Sequence, residues 1–95
     1  DNDEVPEVQE IKEDHYIVDA KMLLQDVNDL LGTEIEDEDI DTIGGWFMTQ
    51  HFDAVVGDKV YADGHEFKIK EVEGHHILFI EITKLPNKET SNIEE

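Results

Sequence analysis

The stretch KVYADGHEFKIKEVEGHHILFIEI, residues 59–82, carries the signals that decide the fold. Two segments rich in β-branched and aromatic residues, 59–62 and 66–70, flank the dipeptide Asp63-Gly64. This dipeptide suits a type I′ turn because both of its residues tolerate a positive φ. We therefore predict a β-hairpin over this part of the chain.

A third strand is predicted immediately after the hairpin. A turn at Glu73-Gly74 leads to residues 77–82, whose apolar side chains occupy both faces of an extended chain. A strand that is apolar on two sides is expected at the centre of a sheet, or covered on both faces. The three strands together would form an antiparallel meander.

Upstream of the meander, residues 42–51 are predicted to form a helix that Asp41 or Thr42 caps. Gly44 and Gly45 fall in its first turn, although a Gly inside a helix costs roughly 0.8–1.0 kcal/mol relative to Ala. We expect these glycines to allow close packing of the backbone.

An earlier amphipathic helix is predicted over residues 20–31. Its apolar residues recur with the spacing of one helical face, and Gly32 supplies a left-handed stop. Asp19 is expected to cap its N-terminus, directly after a strand over residues 16–18. Residues 34–41, which include six acids, are expected to form a loop between the two helices.

In chain order the predicted elements are a strand, two helices and a three-stranded antiparallel meander. This order is typical of an α+β fold in which both helices pack on one face of the sheet.

Acidic residues dominate the chain, and their distribution predicts its organisation. The 95 residues include 26 Asp and Glu against 7 Lys and no Arg, a formal charge of -19. Residues 1–14 hold seven acids and one Lys and are expected to form an acidic linker, while residues 86–95 are expected to form a flexible acidic tail. Residues 15–85 hold every aromatic residue and are the predicted folded domain.

This composition argues against several classes of function. So negative a chain repels nucleic-acid phosphates and anionic lipid. No apolar run approaches the roughly 18–20 residues that span a bilayer, so we expect no direct membrane insertion of this segment. There is no Cys, and the one Ser, Ser91, lies in the predicted tail. We therefore expect neither a thiol nor a serine nucleophile, and no catalytic residue is named.

The acidic loop contains three candidate metal ligands. Asp37, Asp39 and Asp41 occupy positions 1, 3 and 5 of an EF-hand-like loop. Thr42 stands where such a loop requires Gly, and Met48 stands where it requires Glu, so a dedicated calcium loop is not expected. Loose binding of Mg²⁺ or Ca²⁺ and a solvated loop without a ligand both stay open.

Two other motifs could contact a ligand. Gly44 and Gly45 are the candidates for a phosphate contact with flavin adenine dinucleotide, because glycines at a helix start let backbone N–H groups approach an anion. The acids just upstream oppose such binding. His75 and His76 are adjacent, and neighbours in a strand point to opposite faces, so they are expected to be surface histidines.

Trp46, Phe47 and Met48 are three consecutive large apolar residues, and a helix cannot bury all of them on one side. The sheet or the loop at Phe52 covers the remaining one, or these residues and Phe52 form an exposed patch that contacts a partner. The four residues are the interface candidates.

Five short motifs follow one another along residues 16–85: Tyr16-Ile17-Val18-Asp19, Asn28-Asp29-Leu30-Leu31-Gly32, Asp41-Thr42-Ile43-Gly44-Gly45, Gly57-Asp58-Lys59-Val60 and Phe67-Lys68-Ile69. In this order they resemble the transporter-associated domain of the CorC/HlyC family, the small C-terminal domain of hemolysin-C-like membrane proteins. One departure is His51-Phe52-Asp53-Ala54, where the family usually has a Gly-Arg-Ile-Pro-like stretch. Without Pro, the path of this loop is less rigidly preset.

The resemblance implies a non-enzymatic accessory domain on the cytoplasmic face of the membrane. A membrane domain and a pair of nucleotide-binding CBS modules would precede it in the parent chain, and docking to them would modulate divalent-cation transport of the Mg/Co type. The fold is also similar to part of a flavin-binding superfamily, so a module that binds flavin adenine dinucleotide or a divalent cation is the alternative. A homodimer is a further partner to consider, and no resident cofactor is expected.

Overall fold

Five antiparallel strands and two helices make up the domain in the computed structural model, which describes residues 8–86. In chain order the elements are β1 (Val8–Lys12), β2 (His15–Asp19), α1 (Leu24–Leu31), α2 (Ile43–Gln50), β3 (Lys59–Ala62), β4 (His65–Glu73) and β5 (His76–Lys84). The strands lie in the order β1-β2-β5-β4-β3. The predicted α+β class is confirmed.

One face of the sheet carries the hydrophobic core, and both helices pack on this face. Fully buried side chains from strands and helices meet there: Val18, Val27, Ile43, Phe47, Phe67, Ile69, Ile80 and Ile82. Burying one such side chain contributes roughly 1.5–3 kcal/mol. This contact is therefore the main source of stability in the domain.

The last strand is the central one, as predicted. β5 pairs with β2 on one side and with β4 on the other. Ile80 and Ile82 point into the core, whereas Phe79 lies half-buried on the opposite face. The two-sided apolar pattern therefore reflects the position of β5 in the middle of the sheet.

Both turns of the meander are tight. Asp63 and Gly64 have φ values of 51° and 79°, which confirms the predicted hairpin turn with two positive φ angles. The second turn lies one residue later than predicted, at Gly74-His75, because Glu73 still pairs with His76.

An additional strand, β1, lies at the edge of the sheet beside β2. The prediction of an acidic linker up to residue 14 is therefore wrong for residues 8–12. All five residues of β1 are exposed, so the strand leaves little hydrophobic signal and is held by backbone pairing. The remaining linker prediction for residues 1–7, and the tail prediction beyond Pro86, lie outside the described residues.

The first helix begins later than predicted, at Leu24 instead of residue 20, and Asp19 does not cap it. Asp19 Oδ1 accepts a hydrogen bond from Lys21 N over 2.8 Å, within the turn that precedes the helix. Ala20 N donates to Leu78 O, while Ala20 O and Met22 O accept from Gly44 N and Ile43 N, so these groups bond to other segments and not within a helical turn. The predicted stop at Gly32 is confirmed, with φ 75°.

The second helix follows its prediction closely. Thr42 caps it by accepting a hydrogen bond from Gly45 N over 3.1 Å. Gly44 lies directly against Ala20, where an added Cβ atom would stand 2.8 Å from Ala20 Cβ and 2.9 Å from Ala20 O. The expected close packing of the backbone is therefore confirmed.

Replacing Gly44 by Ala is expected to destabilise the domain by about 1–3 kcal/mol, because the backbone of α2 or of Ala20 must move. Ala has a higher helix propensity than Gly, and this offsets at most about 1 kcal/mol of the cost of moving the backbone. Urea unfolding followed by Trp46 fluorescence measures the change. Gln50→Ala, at the exposed last residue of α2, is the control and should stay within about 0.5 kcal/mol. Equal unfolding midpoints for the two variants would contradict the role of this contact.

Candidate functional site

The glycines at the start of α2 do not form an open phosphate-binding turn. Ile43 N donates to Met22 O, Gly44 N donates to Ala20 O, and Gly45 N donates to Thr42 Oγ1. An anion at a helix start needs free N–H groups. In this turn the N–H groups of all three residues already have protein partners, so the geometry does not support Gly44 and Gly45 as a flavin phosphate site.

Two of the three predicted metal ligands, Asp37 and Asp41, line an open groove between α1 and the acidic loop, whereas Asp39 does not. Its volume is about 630 Å³, and we call it the acidic groove: Leu23, Leu24, Gln25, Asn28, Ile35, Glu36, Asp37, Glu38, Ile40 and Asp41. Asp37 Oδ1 accepts from Asp39 N over 2.9 Å, so this carboxylate shapes the loop itself. Within residues 8–86, no three His, Cys, Asp or Glu side chains converge in the way a metal ion requires. Asp37, Asp39 and Asp41 are thus neighbours in sequence without forming one ligand set.

Asn28 holds the acidic groove in shape, a role that sequence reasoning did not assign to it. Its Nδ2 donates to Ile35 O over 2.8 Å, and its Oδ1 accepts from Ile35 N over 2.9 Å and from Thr33 Oγ1 over 2.7 Å. Glu34 N also donates to Asp63 Oδ2 in the hairpin turn. The chain after α1 is therefore held by hydrogen bonds at Thr33, Glu34 and Ile35. The available signal was an Asn one helical turn before the Gly32 stop.

The interface prediction is wrong for Trp46 and Phe47, which are buried in the core. Trp46 is 5% exposed, and its ring packs edge-on against Phe67 with 5.1 Å between ring centroids. Phe47 stacks on His51. Met48 is half-buried. Helix α2 lies between the sheet and the segment around Ala20. It is therefore buried over most of its surface, whereas an amphipathic helix is buried on one face only.

The fourth interface candidate, Phe52, is exposed, and two further apolar side chains lie beside it in sequence. Phe52, Val55 and Val56 are 83%, 60% and 57% exposed, and we call these three residues the apolar tip. They belong to the connection between α2 and β3. Large apolar groups exposed together commonly mark contact surfaces. Val55 and Val56 were not predicted, because a short apolar pair before a Gly resembles the start of a strand.

The two adjacent histidines are both exposed, as predicted. His75 lies in the second turn of the meander, and its Nδ1 stands 4.0 Å from Asp53 Oδ1 in the loop of the apolar tip. This distance places the second turn of the meander beside that loop.

The sheet face opposite the core is largely polar. Glu81 lies near its middle, where its carboxylate contacts His15 Nε2 and stands 3.9 Å from Lys68 Nζ. A shallow groove of about 260 Å³ beside Ile17 and Phe79 is the apolar part of this face. The arrangement is that of a solvated sheet face with cross-strand ion pairs.

Neither described helix has the length and apolar character that crossing a bilayer demands.

Residues 9–86 match the transporter-associated domain of the CorC/HlyC family, and the chain belongs to this family. The matched range coincides with the described strands and helices almost from end to end. The resemblance inferred from the five motifs is therefore confirmed.

Similar proteins are longer than this chain. UPF0053 protein YrkA of Bacillus subtilis is 52% identical over 84 residues, which are 88% of this chain and 19% of YrkA. The magnesium and cobalt efflux protein CorC of Vibrio cholerae is 27% identical over 97 residues, which are 100% of this chain and 33% of that protein. This chain therefore spans between a fifth and a third of these relatives.

A crystal structure supports the fold. The Mg²⁺ and Co²⁺ transporter (CorC) associated region from Neisseria meningitidis has a TM-score of 0.76 and 25% identity to this chain. The match covers 82% of this chain and 98% of that one.

Replacing Asn28 by Ala is expected to destabilise the domain by about 1–3 kcal/mol, because buried polar groups of Ile35 and Thr33 lose their partners. Urea unfolding followed by Trp46 fluorescence is the measurement. Gln25→Ala, an exposed residue of the same groove, is the control and should shift stability by less than about 0.5 kcal/mol. A loss for Asn28→Ala no larger than that of the control would show that Asn28 does not hold the loop.

Proposed function

We propose that this chain is a non-enzymatic accessory and regulatory domain of a longer membrane protein, in which it modulates divalent-cation transport by docking to other parts of the parent chain. The observation that carries the proposal is a coincidence of boundaries. The family match covers residues 9–86, the described strands and helices run from Val8 to Lys84, and this chain spans as little as 19% of a relative. Such a domain is a separate folding unit attached to a larger protein.

The transported ions are proposed from one group of relatives. The CorC protein of Vibrio cholerae is a magnesium and cobalt efflux protein, and it aligns with all of this chain. We therefore assign this domain to a parent that transports divalent cations of the Mg/Co type. We place the domain on the cytoplasmic side because the family resemblance implies it, and there its acidic charge would keep it away from the anionic lipid surface.

A regulatory role suits a small domain with its own core. The two ends of the described chain leave the sheet at different places, since β1 begins beside Val18 and β5 ends beside Asp14. A rigid unit of this kind can contact the parent differently in two transport states. It then shifts their populations by the difference between its contact free energies in the two states.

Deleting the segment that matches residues 8–86 from the full-length parent is expected to change Mg²⁺ and Co²⁺ flux, by about fivefold or more at the lower end of typical coupling energies. Flux is measured with purified parent protein in phosphatidylcholine vesicles. Gel filtration of the deleted protein checks that the remainder stays folded. The parent carrying Gln50→Ala is the control and should transport normally. Identical flux with and without the domain, at every cation concentration, would contradict the proposal.

A further inference from the structure

The backbone of the apolar tip is held at Val55 by hydrogen bonds to Asp58. Asp58 Oδ2 accepts from Val55 N over 2.9 Å, and Asp58 N donates back to Val55 O over 3.0 Å. The same carboxylate stands 3.3 Å from His51 Nε2, and the His51 ring stacks on the buried Phe47. A loop fixed in this way loses little further conformational entropy on binding. The backbone that carries Val55 is therefore prearranged for a contact.

The pairs of residues across the sheet give the distance between the start of β1 and the base of the apolar tip. Val8 pairs with Val18, Val18 pairs with Ile80, and Ile80 pairs with Ile69. Gly57 N, at the base of the tip, donates to Ile69 O. Val8, the first residue of β1, thus lies in the same cross-strand row as Gly57, at about four strand spacings, or roughly 19 Å.

The C-terminal side of the domain lies at the opposite end of the sheet. Leu85 N donates to Gly64 O in the first hairpin turn, whereas Asp53 beside the tip stands next to His75 in the second turn. Val8, where β1 begins, therefore lies in the cross-strand row of Gly57, whereas Leu85 lies at the end of the sheet that holds the first hairpin turn.

Charge selects the kind of partner. Asp53 and Asp58 lie next to the apolar side chains, with His75 and His51 beside them, and residues 15–85 carry 16 acids against 5 Lys with no Arg in the chain. A second copy would bring acidic residues against acidic residues, which is unfavourable. A partner surface with Lys or Arg around an apolar cavity would be complementary.

We infer that the apolar tip is the docking contact of this domain, and that its partner is an apolar cavity rimmed by Lys or Arg in a part of the parent chain outside residues 8–86. Phe52 is the anchor, because one aromatic side chain in a cavity can dominate a small interface. The inference rests on the proposed function and names the surface through which it acts. It also explains why these three apolar residues are exposed in the isolated domain.

Hydrogen exchange measured by mass spectrometry tests the contact directly. The peptide containing residues 52–56 is compared between the 95-residue chain and the full-length parent in phosphatidylcholine vesicles. We expect exchange to slow by about tenfold or more in the parent, because docking shields these amides. The peptide containing Asp63 and Gly64, at the opposite end of the sheet, is the internal control and should exchange alike in both. Unchanged exchange of residues 52–56 would overturn the inference.

Substitutions in the apolar tip test whether its side chains cause the slower hydrogen exchange. Phe52→Ser, Val55→Ser and Val56→Ser together should abolish the protection in the parent and reproduce the flux of the domain deletion. Ile11→Ser with Tyr61→Ser removes exposed apolar groups elsewhere, and this control should leave protection and flux unchanged. Urea unfolding of the 95-residue chain checks that both variants remain folded. Protection that survives the triple substitution would overturn the inference.

Two other occupants would give distinct outcomes. The 95-residue chain alone can be tested at rising concentration. If its tip becomes protected while its mass in sedimentation doubles, the tip contacts a second copy and the inference is overturned. Flotation of the 95-residue chain with phosphatidylcholine vesicles would assign it to lipid, with the same consequence. If deletion changes flux while the tip stays unprotected, the proposed function stands and this inference fails. If deletion leaves flux unchanged, the proposed function fails first.

Discussion

The contact between Gly44 and Ala20 is the constraint on which the rest of the domain depends. Gly44 N donates to Ala20 O over 2.9 Å, and the space beside it has no room for a Cβ atom. Next to this bond, Ile43 N donates to Met22 O and Leu24 N donates to Asp41 O. These backbone bonds join the end of β2, the start of α1 and the start of α2. Because residue 44 is a glycine, its backbone can approach Ala20 closely enough for these bonds to form.

Both surface features described above follow from this junction. Because the start of α2 is fixed against Ala20, the acidic loop before it must bend back along α1, where Asn28 holds its first residues. At the other end of α2, the chain leaves the core at His51 and reaches the surface at Phe52. The acidic groove and the apolar tip thus lie at opposite ends of one short helix. A change in the position of α2 would displace both.

Local sequence signals predicted the elements that local chemistry determines. The Asp63-Gly64 turn, the Thr42 cap and the Gly32 stop each depend on residues within one turn of the chain, and each occurs as predicted. The start of α1 was predicted wrongly because Ala20 and Met22 bond to β5 and to the start of α2 in place of helical bonds. β1 was missed because its exposed side chains leave no apolar pattern. Burial of Trp46 depends on packing between helix and sheet, which no local pattern reveals.

Native-state hydrogen exchange at the amide of Gly44 tests the central role of the junction most directly. If the junction opens only when the whole domain unfolds, the free energy of opening at Gly44 equals the global free energy of unfolding, and it falls with urea at the same slope. The amides of Ile43 and Leu24 should behave in the same way. Exchange at Gly44 through a smaller opening that is insensitive to urea would contradict the account.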